Sequence, residues 1–109
     1  MIGNYKVITL CGSTKFKDEF IQAQKELTLK GNIVISVGLF GHSDGEYGKT
    51  ITDDIKIMLD DMHKKKIDMC DEIMVINKDG YIGRSTKNEI EYARLQGKKI
   101  NYYFKDGDR

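Results

Sequence analysis

Four short apolar runs recur along this chain at intervals long enough to hold a helix, and that alternation narrows the possible folds more than any other feature. Tyr5–Cys11, Ile33–Val37, Glu72–Asn77 and Lys99–Phe104 are rich in Val, Ile and Tyr and show little polar alternation. The segments between them carry helical periodicity instead. Phe16, Phe20, Ala23 and Leu27 fall at i, i+4, i+7 and i+11, and Gly31-Asn32 ends that stripe. Ile51, Ile55, Leu59, Met62, Lys66 and Ile67 form a second stripe that ends near Met69-Cys70. A third helix runs to Gln96, with Ser85 or Thr86 as its cap and Gly97 just past its end.

Strands that are apolar almost throughout and alternate with helices imply a parallel sheet covered on both faces. With right-handed crossovers the expectation is a small doubly wound α/β fold, flavodoxin- or Rossmann-like, with four to five strands and helices on both faces. At 109 residues the chain suits one domain over 1–109. In such sheets ligands bind beyond the carboxyl ends of the strands, where the strand order reverses. The segments of interest are therefore Cys11 to Phe16, Gly38 to Gly48 and Asn77 to Glu89.

Charge and composition exclude several classes. Eighteen basic against seventeen acidic side chains leave a net charge of +1, so no nucleic-acid polymer is expected as a partner. No apolar run approaches the ~20 residues of a membrane span, and the N-terminal segment lacks the pattern of a signal peptide. A cytoplasmic location is expected. Cys11 and Cys70 are too far apart for a CxxC-type zinc site and are read as free thiols.

Each strand end offers two readings. Gly12-Ser13-Thr14 presents small residues and backbone N–H groups at a helix start, which suits an anion, or is a tight turn with a hydroxyl cap. Gly83, Arg84, Ser85 and Thr86 could cradle a phosphate or a sugar hydroxyl, with Glu89 leaning back over the sheet. The same Thr86-Lys-Asn-Glu89 matches a capping box, in which Glu89 only satisfies a backbone donor. His63, in Asp60-Asp61-Met62-His63-Lys64-Lys65-Lys66, is a half-buried surface histidine or an acid–base group facing the crevice. The lysine run reads as a solvated face. Asp71, just before the third strand, is a turn residue or an anchor for a neighbouring N–H group.

Taken together, Gly12-Ser13, Ile67-Asp-Met-Cys-Asp-Glu-Ile-Met-Val-Ile76 and Glu89-Ile-Glu-Tyr-Ala93 followed by Gly97-Lys-Lys-Ile100 resemble the nucleoside 2-deoxyribosyltransferase superfamily, which includes 2′-deoxynucleoside 5′-phosphate N-hydrolases. The resemblance implies cleavage of an N-glycosidic bond, with Glu89 as nucleophile on the sugar C1′ and a second base or water resolving the intermediate. It implies a nucleotide or nucleoside as partner, no cofactor or metal, and a homodimer or larger homo-oligomer. The candidate catalytic set is Glu89, His63 and Asp71. The candidate substrate-binding set is Gly12, Ser13, Phe16, Gly83, Arg84, Ser85 and Thr86.

Two departures stand out. The family glycine after the nucleophile is Glu91 here. The expected aspartate falls near His63, so either His63 or one of Asp60 and Asp61 would donate the proton. The hydroxyl-rich start of the third helix favours a nucleoside 5′-monophosphate over a free nucleoside. Phe40, His42 and Tyr47 of the glycine-rich Gly38–Gly48 loop could close over the base by stacking, or the loop is a disordered connection without function. The alternative is a non-catalytic module that binds or sequesters a nucleotide signal on the same fold. A relation to lysine-decarboxylase-like phosphoribohydrolases is weaker, because Gly80–Glu89 only loosely echoes their PGGxGTxxE motif.

Overall fold

In a computed structural model, which describes residues 1–40 and 52–105, the elements alternate as the sequence pattern implies. β1 is Val7–Gly12, α1 is Lys17–Leu29, β2 is Ile33–Ile35, α2 is Asp53–Asp68, β3 is Glu72–Ile76, α3 is Arg84–Leu95 and β4 is Lys99–Tyr102. Single 3₁₀ turns at Thr14–Phe16 and Lys78–Gly80 follow β1 and β3. The four strands pair in the order β2-β1-β3-β4, all parallel. This is the α/β fold expected, with four strands, and its order is that of a small doubly wound sheet.

The two faces carry separate cores because side chains alternate along each strand. Ile8 and Leu10 of β1 pack with Phe20, Ala23 and Leu27 of α1 and with Ile76 of β3. Cys11 of β1 faces the other way, with Ile73 and Val75 of β3, Ile67 and Cys70 from the end of α2, and Ile90 and Ala93 of α3. One helix therefore covers one face and two cover the other.

Helix limits differ from expectation in ways that bear on the site. α3 begins at Arg84 with Gly83 as its N-cap, and no side chain caps it. Thr86 lies inside the helix and is buried, so the capping-box reading of Thr86 and Glu89 does not hold. Ser85 likewise sits within the first turn. In α2 the stripe is buried only in its second half. His63 and Ile67 are inside, whereas Ile55 in the first half is exposed. α2 returns antiparallel to the strands, so its N-terminal half is the part that projects beyond their carboxyl edge.

Asp71 anchors the opposite edge. Its Oδ2 accepts a hydrogen bond from the Val7 N–H at 2.8 Å, and its own N–H donates to the Val7 carbonyl at 2.8 Å. This stitches the starts of β1 and β3 together and takes Asp71 away from the carboxyl ends of the strands.

Phe20 has no exposed surface and meets β1, β3 and the Phe40 ring at 5.5 Å, while its neighbour Ile21 is half exposed. Phe20→Ala should cost about 3–5 kcal/mol in urea unfolding, whereas Ile21→Ala should stay within about 0.5 kcal/mol of the parent.

Candidate active site

The crevice opens where the strand order reverses, beyond the ends of β1 and β3. Gly12 and Ile76 end these strands in register. Gly12 sits at φ +156, and a Cβ there would meet the Ile76 carbonyl oxygen at 3.0 Å and the Phe20 ring at 3.3 Å. The glycine lets the chain leave β1 without closing the gap. The overhanging half of α2 forms one wall and the start of α3 the other. The crevice encloses about 510 Å³, within the range of small-molecule sites.

Of the residues singled out in the sequence, Gly12, Ser13, His63, Gly83, Arg84, Ser85, Thr86 and Glu89 all line this one crevice. Ser13 also keeps its turn role, its Oγ accepting from the Lys15 N–H at 3.3 Å. Two candidates lie elsewhere. Asp71 is at the far edge of the sheet, holding Val7. Phe16 is buried in the α1-side core and meets the crevice only through the edge of Tyr81, 5.9 Å between ring centres. Phe40 packs on Phe20 in the same core rather than over the crevice. His42 and Tyr47 lie outside the described residues.

At the floor three polar side chains converge from three elements. Cys11 ends β1 on the face shared with α2 and α3, and its Sγ lies 3.5 Å from His63 Nε2. His63 Nε2 lies 3.7 Å from Glu89 Oε1. The Cys11 sulfur, the His63 nitrogen and a Glu89 carboxylate oxygen all lie within 4.8 Å of one another. Burial dominates their chemistry. It pushes Glu89 up to about 7, helped by the Asp60 charge and opposed by the Cys11 thiol and the Lys66 ammonium. It brings His63 down to about 4, with Lys66 adding to the effect and the Leu10 backbone opposing it. Burial and the Glu89 charge raise the Cys11 thiol well above its ordinary range.

His63 is thus neutral near pH 7, and its contact with Glu89 is not an ion pair there. A His63 imidazolium, one of the proton donors the sequence left open, is not what this environment holds. Asp60 lines the crevice; Asp61 does not.

Three further residues were not singled out as site residues. Lys66 donates to the Ser36 carbonyl at 2.8 Å and lines the crevice, rather than belonging to a solvated run. Its position three residues after His63 places it on the same helix face. Tyr81 lines the rim with Lys15 Nζ 3.5 Å from its ring centre. Cys11 was read only as a free thiol, although strand alternation from buried Thr9 sets it on the α2 and α3 side. Against known proteins, the chain matches no family model and no curated sequence.

The two perturbed groups act oppositely on stability. Between its ordinary value of 4.5 and about 7 the folded state holds the Glu89 proton more tightly than the unfolded chain, so stability falls as pH rises. Between about 4 and its ordinary 6.5 the folded state disfavours the His63 proton, so stability rises with pH. The slopes, each about 1.4 kcal/mol per pH unit, largely cancel between pH 4.5 and 6.5. Chemical unfolding as a function of pH should separate them. Glu89→Gln should leave stability rising from pH 4 to 6.5, and His63→Gln should leave it falling from pH 4.5 to 7.

Proposed function

We propose that this protein cleaves the N-glycosidic bond of a nucleoside 5′-monophosphate or nucleoside, with the Glu89 carboxylate attacking C1′ of the sugar. The observation that carries the reading is the placement of Glu89. Its carboxylate is half-buried, lines the crevice at the carboxyl ends of β1 and β3, and is not spent on capping its own helix. A nucleophile in such a position is shielded from water yet open to a bound sugar.

The surroundings support a phosphorylated sugar. The start of α3, which no side chain caps, lies at the crevice, and Arg84, Lys56 and Lys66 line the same space. A 5′-phosphate suits that set of donors and cations. With His63 neutral, it becomes a positioning residue for Glu89, while Asp60 is the crevice carboxylate placed to orient the departing base, whose nitrogen takes its proton from water. In the first step the Glu89 oxygen bonds to C1′, the C1′–N bond breaks and the base nitrogen takes a proton. Water or a second base then breaks the ester and restores the carboxylate. This reading also takes up the resemblance to nucleoside 2-deoxyribosyltransferases. A homo-oligomer remains part of the proposal on that resemblance.

Base release from ribo- and deoxyribonucleoside 5′-monophosphates and free nucleosides, separated by chromatography, tests the reading. Wild type should release base, with the monophosphate preferred, and Glu89→Gln should fall to background. Asp60→Asn should slow base release while Asp61→Asn keeps its rate. The rate should rise with pH and reach half its plateau near pH 7, as Glu89 ionises. Nucleotide binding without release of base from any compound would overturn the reading and leave a binding module.

A further inference from the structure

Cys11, His63 and Glu89 bring one sulfur, one imidazole nitrogen and one carboxylate oxygen to within 4.8 Å of one another. Among the described residues they are the one group of this kind. Catalytic-type zinc sites use three protein ligands from this same set of donors and leave a fourth position open.

We propose that these three side chains form a binding site for a divalent transition metal of the zinc class, with its fourth position open to the crevice. Donors around a tetrahedral zinc, at bonds of about 2.0–2.3 Å, lie about 3.3–3.6 Å apart. The Sγ–Nε2 and Nε2–Oε1 separations are 3.5 and 3.7 Å. Two of the three edges therefore match a coordination tetrahedron within a few tenths of an ångström. His63 and Glu89 line the crevice and Cys11 lies fully buried behind them, so the unused position faces the open side.

Charge favours the ion as well. A thiolate and a carboxylate balance a divalent cation, and binding releases the thiol proton and any proton on Glu89. The groups facing the cluster act in both directions. The Lys66 ammonium opposes a cation, although it is held on the Ser36 carbonyl, and the Asp60 carboxylate favours one. Soft sulfur with nitrogen and oxygen selects zinc or cobalt over magnesium or calcium.

The inference goes beyond the glycosidase reading and has one consequence for it. A metal on Glu89 withdraws the carboxylate from C1′, so loaded protein should not release base. Binding itself is read without substrate, so failure of either proposal leaves the other standing.

Chelator-stripped full-length protein should bind one zinc per chain by calorimetry, below micromolar concentration and with proton release that varies with buffer. Cobalt should give the charge-transfer band of a thiolate ligand and the visible bands of a four-coordinate ion. Cys11→Ser should remove the charge-transfer band. Both it and His63→Gln should weaken zinc at least tenfold, with folding checked by circular dichroism. Cys70→Ser, which alters the other buried thiol, should bind as wild type does. Absence of binding, or an affinity unchanged in both Cys11→Ser and His63→Gln, would overturn the proposal.

Discussion

The pairing of β1 directly with β3 is the constraint on which the rest of the molecule depends. It places the chain reversal in the middle of a four-stranded sheet. From there α1 departs to one face and α2 and α3 to the other. The helices cannot all close over the strand ends, so a crevice is left between Gly12 and Ile76 and the helices that leave and return there. Asp71 secures this pairing at the opposite edge by holding Val7 through two hydrogen bonds. Its role is structural, and it is the distance between the two edges that makes it so.

The same geometry explains why the polar cluster is buried. Cys11 ends a strand, His63 lies on the helix half that packs on the sheet, and Glu89 stands one turn inside α3. Each arrives from a different element at a place where two apolar cores meet the crevice. Their burial shifts Glu89 and His63 in opposite directions, to about 7 and about 4. Groups perturbed in this way concentrate at functional sites. A purely structural cluster would be expected to resolve the burial of Glu89 with a fixed ion pair, whereas the Lys66 ammonium is engaged with the Ser36 carbonyl.

Much of the fold was legible because strand composition and helical spacing are strong local signals. The four strands and three long helices stand where apolar runs and periodic stripes put them. Helix ends were less so. Ser85 and Thr86 have the chemistry of caps, yet the helix starts at Arg84 because Gly83 provides the turn. The stripe in α2 gave the correct face but not where burial stops, since that depends on how far the sheet extends. Among the site residues, Glu89, His63 and the Gly83–Thr86 segment meet at one crevice, while Phe16 is drawn into the core by its place in the 3₁₀ turn. Cys11 and Lys66 acquire importance only through three-dimensional proximity. Lys66 stands in a lysine run that reads as solvated, and Cys11, although it ends an apolar strand, is matched with His63 and Glu89 only by the fold.

The central claim is that Glu89 forms a covalent bond to the sugar. Mass spectrometry of metal-free protein, quenched in acid during turnover and digested, tests it most directly. The account predicts the mass of one sugar or sugar phosphate, less the base, on the peptide containing Glu89, and none in Glu89→Gln. Base released with no adduct, or with an adduct on another residue, would contradict it.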